Sequence, residues 1–240
     1  MKIDFHSHIL PGIDDGSRNV EESVALLDMM ADDGVDIVVA TPHFYCSENS
    51  IKKFIENRKN AYEKLKPFLK RTHPKIALGA EVLYDPALIR SSEISDLCLQ
   101  GTDYLLLEMP YTKLTPDIIK NVEELAGSSQ IKLMIAHIER YLHFTAYDDI
   151  AKLMELDVIG QLNAKSFTKF SSRRMCKKLI NDGFVYILGT DYHRTDSGHE
   201  LLSAAEEVII NKFNEKMIGR IADNGQLILE NAPIHKLKRL

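Results

Sequence analysis

KIDFHSH, Lys2 to His8, begins as a short apolar run and ends in two imidazoles one residue apart. Side chains alternate faces along a strand, so His6 and His8 point to the same side. Alone, such a pair is as readily incidental as metal-binding. The pattern recurs, however. IVVATPH places His43 three residues past an apolar run, IALGAE ends on Glu81, and YLLLE ends on Glu108. LMIAHIER places His137 at another strand end, and VYILGTDYH supplies Asp191 and His193, again with one residue between them. A carboxylate closing a run such as YLLLE is excluded from an apolar interior unless it is paired. Chance places one or two such residues, not one at nearly every strand end.

The strands that carry these residues are expected at Lys2–Phe5, Ile37–Ala40, Lys75–Leu78, Tyr104–Leu107, Lys132–Ile135, Val158–Leu162 and Val185–Leu188. Between them lie helical stretches at Val20–Asp33, Ser50–Lys70, Pro116–Ala126, Asp148–Glu155, Ser171–Asp182 and His199–Asn211. Gly34 stops the first, and Thr115 caps the third with Pro116 at its first position. Alternating strands and helices predict an α/β fold with parallel strands and right-handed crossovers. In a barrel the C-terminal strand ends converge on one mouth. The polar residues at those ends therefore favour a closed or nearly closed (β/α) barrel over an open doubly wound sheet. No linker, repeat or low-complexity tract interrupts it, so residues 1–240 are read as a single domain.

Composition narrows the function. Of 240 residues 45% are hydrophobic, enough for one substantial core, and the net charge of -5 lacks the basic footprint of a nucleic-acid binder. No run of ~18 apolar residues offers a membrane span, and the opening residues lack the apolar stretch of a secretory leader. Cys46, Cys98 and Cys176 are odd in number and far apart, which argues against a disulfide framework and for a cytoplasmic location. None of the three begins a Cys-x5-Arg loop, which excludes cysteine-based phosphatase chemistry.

His6, His8, Asp15, His43, Glu81, Glu108, His137, Asp191 and His193 make nine candidate ligands, too many for one four- to six-coordinate ion. Two or three divalent metals are expected. The lack of Cys at these positions points to manganese, zinc, iron or magnesium. Asp14 and Asp15 share one turn before Gly16, and residue type alone does not separate them. Phe44, Tyr45 and Tyr111 either shape the pocket or pack. Asn163 and Lys165 are as readily turn residues as functional ones, and Glu139 is read as a partner of Arg140. His73, His143 and His235 are read as solvated. A metal-dependent amidohydrolase also starts with His-x-His but needs a later-strand lysine, for which Lys132 and Lys165 are poor matches. A non-catalytic regulator is disfavoured because a buried cluster of nine such groups is costly to keep without metal.

In order, DFHSH, ATPH, GAE, LLLE, AH and GTDYH resemble the PHP (polymerase and histidinol phosphatase) superfamily and span Asp4 to His193. HSHILPGIDDGS, ATPHF, AHIERY and QLNAKSF (Gln161–Phe167) look like its capsule-type bacterial protein-tyrosine phosphatases. The resemblance implies a distorted seven-stranded (β/α) barrel with manganese at its mouth. It implies hydrolysis of phosphotyrosine on a protein, namely a bacterial tyrosine kinase controlling capsule or exopolysaccharide assembly. The family's ligands fall on the nine residues above, with Asp15 preferred because it directly precedes Gly16. Arg140, Glu108 and Asp191 are expected to carry catalysis, with hydroxide shared between metals attacking phosphorus and Arg140 holding the phosphoryl oxygens. Three positions depart from the family: Ile138 stands where proline is usual, Lys165 where glycine is common, and Arg194 directly follows His193. Arg194 or His199 is therefore the candidate for a second phosphate-holding cation. The alternative within the same superfamily is a histidinol-phosphate or other small-molecule phosphatase.

Overall fold

All seven expected strand positions carry strands in the computed structural model, which describes residues 1–127, 131–196 and 201–240. In chain order the strands are β1 (Ile3–Ser7), β2 (Ile37–Ala40), β3 (His43–Phe44), β4 (Lys75–Leu78) and β5 (Glu81–Leu83). They continue with β6 (Tyr104–Glu108), β7 (Lys132–Ile135), β8 (Val158–Asn163) and β9 (Val185–Gly189). Short β3 and β5 were not expected. They arise where the chain resumes pairing after Thr41-Pro42 and Gly79-Ala80. Every pairing is parallel. One sheet has the order β1-β2-β4 and the other β3-β5-β6-β7-β8-β9. The two meet where Ser7 bridges Tyr192, the His8 amide donates to Tyr192 O at 2.7 Å and the Asp191 amide to His6 O at 2.7 Å.

The helices are α1 (Val20–Asp32), α2 (Ile51–Leu65), α3 (Pro116–Ala126), α4 (Tyr147–Met154), α5 (Lys165–Thr168), α6 (Phe170–Asn181), α7 (Leu202–Lys212) and α8 (Lys216–Leu229). Side-chain oxygens of Asn19, Ser50 and Thr115 cap α1, α2 and α3 by accepting from the amides of Glu22, Lys53 and Ile118. Helix α2 stops five residues before the expected Lys70, because Pro67 cannot donate to the helix and the chain tightens into a 3-10 turn at Lys66–Phe68. The expected start of α7 at His199 lies outside the described residues. Helix α8 has no counterpart in the expected set.

Strand side chains sort into two buried clusters. Leu105, Leu107, Leu133, Ile135, Val158 and Leu162 pack with the helix-facing core. Ile3, Phe5, Val39, Tyr104, Leu106, Met134, Ile159 and Ile187 form a second core, drawn from both sheets and closed by Ile228 of α8 and Leu237. Strands buried on both faces read as continuous apolar runs, which is why YLLL signals a central strand rather than an amphipathic one. Each fully buried leucine contributes about 1.5–3 kcal/mol. This packing fixes the strand ends rigidly, and the polar residues at those ends inherit that rigidity.

Candidate metal centre

Parallel register places the first pair of donors: His43 of β3 stands beside Glu81 of β5, and Leu83 beside Glu108 of β6. Alternation on β1 brings His6 and His8 together, their Nε2 atoms 3.2 Å apart. Donor atoms of three sets each lie within 4.8 Å of one another: His8, Asp15, His43 and His193; His6, His8, Glu81 and Asp191; and His43, Glu81 and Glu108. Eight of the nine expected ligands fall in these sets. The ninth, His137, sits beside them with Nε2 2.8 Å from Glu81 Oε1 and 3.6 Å from Glu108 Oε1.

The donor set fits divalent cations on two further observations. The outward nitrogens of three imidazoles are held by oxygens, which leaves their Nε2 atoms to face the centre. His8 Nδ1 lies 2.8 Å from Asp14 Oδ2, His6 Nδ1 3.2 Å from Gln161 Oε1, and His193 Nδ1 3.0 Å from Asp191 O. This is how ligating histidines are oriented. Meanwhile His43 Nδ1 and Glu81 Oε2 lie 3.0 Å apart without hydrogen-bond geometry, and His137 Nδ1 and Asp191 Oδ1 are buried without a hydrogen-bond partner. Buried polar atoms are nearly always satisfied, and four exceptions in one spot call for an ion.

Electrostatics agree. Burial opposes charge on Glu81, yet His6, His137 and His43 hold its pKa well below the usual carboxylate range. Asp191 is likewise held well below that range against its burial, by His6, His8 and Arg140. Burial also disfavours a charged His8, but Asp14, Asp191 and Glu81 lift it well above an ordinary histidine. Glu108 is pushed up to about 7 by burial and by the charge on Glu81. The carboxylates thus demand positive charge at their centre. Backbone geometry marks the same place: His137 has φ 28° and Asp191 φ 57°, left-handed values that non-glycine residues rarely adopt. Each costs on the order of 1–3 kcal/mol and persists where surrounding structure imposes it.

The two aspartates of the turn separate by burial. Asp14 is nearly buried and bonds His8 Nδ1, the His43 amide and the Gly16 amide. Asp15 is 67% exposed, with Oδ1 3.5 Å from both His43 Nε2 and His193 Nε2. Gly16 allows the turn, since a Cβ there would meet His8 O at 2.4 Å. Arg140, in the 3-10 turn after His137, pairs through a short contact with Asp191 Oδ2, the oxygen that also accepts from Asn163 Nδ2 at 2.9 Å. Its partner is therefore Asp191. Glu139 instead accepts from the Ser166 hydroxyl and the Asn163 amide. Arg194 donates from Nε to Asp15 O at 3.0 Å, at the rim. His199 lies outside the described residues. Tyr111 donates to Glu108 Oε1 at 2.8 Å, and Tyr45 stacks on His43.

Sequence reasoning passed over Asp14 as the His8 anchor and Gln161, which bonds both His6 Nδ1 and the His137 amide. It also passed over Asp4, which accepts from the Thr190 amide and hydroxyl and whose pKa burial raises to about 6. Asp4 and Gln161 signalled only as polar residues inside apolar runs, and Asp14 only as one of two aspartates in a turn. His73, expected to be solvated, has a buried side chain whose Nε2 meets Asp28 at 2.9 Å, because α1 packs over its loop. Lys132 begins β7, at the opposite end from the site, and bonds Asn231, so it does not supply the lysine of an amidohydrolase.

Compared with known families, residues 2–230 match the one described as Capsular polysaccharide synthesis, CpsB/CapC. The chain belongs to this family. Among its CpsB/CapC relatives is the tyrosine-protein phosphatase CpsB of Streptococcus agalactiae serotype III, 26% identical and covering 95% of this chain and 98% of the relative. The tyrosine-protein phosphatase YwqE of Bacillus subtilis is 24% identical over 98% of this chain and 94% of its own length. Among solved structures, one from work on B. subtilis YwqE and Streptococcus pneumoniae CpsB, described as metal-dependent tyrosine phosphatases, superposes with a TM-score of 0.81. It is 19% identical and covers 96% of this chain and 95% of that one, so it supports a shared CpsB/CapC fold.

Proposed function

We propose that the protein is a metal-dependent phosphomonoesterase that removes phosphate from tyrosine on proteins. The observation that carries this reading is the convergence of three donor sets on His8, His43 and Glu81, with Arg140 at their edge. His6, His8, Asp15, His43, Glu81, Glu108, His137, Asp191 and His193 would hold two or three ions, with manganese the first choice. The chemistry that divalent ions supply in such a site is a hydroxide at neutral pH and neutralised phosphoryl charge. The chain's own residues do the rest. Arg140, oriented by Asp191, meets the phosphoryl oxygens with its planar fork. Arg194 takes the place of a second cation at the rim. Tyr45 and Tyr111 flank the entering ring. The departing phenolate, of pKa ~10, needs little help from a general acid.

The reading extends to architecture and setting. The two sheets are best counted as seven staves of one distorted barrel, with β2 and β3 one stave and β4 and β5 another. The mixed second core and the Ser7–Tyr192 bridge support that count. The free thiols of Cys46, Cys98 and Cys176 suit the cytoplasm. No helix among the described residues is long and apolar enough to cross a membrane. The names of the relatives suggest a phosphotyrosine substrate and the family description a role in capsular polysaccharide synthesis, and the partner we propose is a bacterial tyrosine kinase that governs capsule or exopolysaccharide synthesis.

The test compares hydrolysis of a phosphotyrosine peptide and histidinol phosphate, with manganese and after chelation. A chelator-sensitive rate that favours the peptide and is lost in His43→Ala is expected. Preference for histidinol phosphate would move the substrate to the small-molecule branch. No hydrolysis of either under any metal would overturn the phosphatase reading.

A further inference from the structure

Beside the mouth lies a surface that the hydrolytic chemistry does not use. Strand β8 ends at Asn163, which bonds Asp191, and α5 begins two residues later. Between α5, α6 and α7 is a groove of about 330 Å³, floored by Phe167, Val208 and Phe213. Phe170 stands at its edge, 85% exposed. An exposed aromatic beside an apolar groove has a cost in water, and such patches mark interaction sites.

The rim is cationic. Residues 165–181 carry six Lys or Arg and no Asp or Glu, in a chain whose net charge is -5. Arg174, Lys177 and Lys212 border the groove and are exposed. Arg173 is already engaged with the carbonyls of Phe167 and Thr168 and stiffens the groove instead. A local cation cluster on an acidic protein steers anionic partners to one face.

We propose that this groove docks an acidic peptide segment that inserts one apolar or aromatic side chain, a substrate-selecting site next to the metal centre. The proposal rests on the phosphotyrosine-protein reading in placing the docked segment on the same chain as the phosphotyrosine. The concave shape favours a peptide over a lipid surface. A membrane meets a convex row of apolar residues, whereas here a single aromatic flanks a hollow sized for a side chain. The ring of cations around that hollow suits carboxylates flanking an inserted side chain.

The experiment uses the full chain with manganese. An unphosphorylated, fluorescently labelled peptide with glutamates around one phenylalanine is titrated, beside a serine-rich neutral control and vesicles of phosphatidylglycerol. The wild type is expected to bind the acidic peptide, more weakly as salt rises, and Arg174→Glu with Lys177→Glu to weaken it roughly 10-fold or more. Phe170→Ser should weaken it as well. The same variants should raise KM for an acidic phosphotyrosine peptide, with kcat and hydrolysis of a small aryl phosphate unchanged. Equal binding of the neutral control, binding unaffected by these variants, or vesicle binding without peptide binding overturns the proposal. Docking that persists while no phosphotyrosine peptide is hydrolysed leaves the groove in place and refutes the substrate reading instead.

Discussion

The two ends of the strands are built to opposite rules. At the N-terminal ends polar groups are satisfied. Asn224 Nδ2 donates to Tyr186 O and Lys238 O while its Oδ1 accepts from the Lys238 amide, and Tyr104 donates to Ala232 O. Lys132 is held by Asn231, whose left-handed φ of 58° is one that asparagine tolerates. At the C-terminal ends His137 and Asp191 also adopt left-handed values, and four buried polar atoms lack hydrogen-bond partners. One end closes the fold, and the other spends stability on arranging charge. Substitutions at the first should change stability and spare activity, and those at the second should do the reverse.

The largest expected effect lies at Arg140. Arg140→Lys keeps the charge but loses the planar fork, and kcat should fall roughly 10²–10³-fold, the range for removing one donor to developing charge. Thermal stability should change little, since the lysine keeps a cation beside Asp191. A kcat within a few-fold of wild type would mean that another group holds the phosphoryl oxygens. Asp14→Asn comes next. It keeps the shape beside His8 Nδ1 and weakens the acceptor, so the manganese concentration for half-maximal activity should rise about 10–100-fold. An unchanged metal requirement would make Asp14 a turn residue only.

These contrasts also explain what the sequence disclosed. Strand ends were readable because buried parallel strands leave unbroken apolar runs, so His43, Glu81 and Glu108 stood out as interruptions. Asp14 and Asp15 did not separate, because a turn gives adjacent side chains no periodicity to read. Helix α8 was hidden by the residues it buries. Asn224 and Gly225 face the core where an amphipathic stripe would be expected, and Gly219 and Gly225 lower its intrinsic propensity. Gly225 is there for contact: a Cβ would meet Ile3 at 2.9 Å and Phe5 at 3.1 Å. Gly189 serves the site in the same way, where a Cβ would meet His6 Cβ at 2.6 Å.

At the quiet end, Asn224→Ala should cost about 1–3 kcal/mol, because the Lys238 amide and Tyr186 carbonyl lose a buried partner. Chemical denaturation would measure it. The kcat of the folded fraction should stay at the wild-type value, and a kcat that fell with stability would erase the division between the two ends.

The smallest effect is expected at Glu22, on the rim of the mouth. It accepts from Arg18 and from Thr195, and so ties α1 to the segment after His193. The hydrogen bonds from Arg18 lower its pKa from an ordinary 4.5 to about 2. A carboxylate whose folded pKa is depressed contributes stability that is present above its ordinary pKa and is lost as pH falls toward the folded value. Arg18 is 54% exposed, so solvent screening keeps the contribution small. Glu22→Gln should therefore be slightly less stable than wild type near pH 5, and the gap should narrow below about pH 4.5 and close only as pH falls to about 2 and protonation removes the advantage. Denaturation midpoints at the two pH values measure that gap. A gap that widened on acidification would mean that Glu22 holds the rim as a neutral hydrogen-bonding group and that the ion pair with Arg18 is incidental.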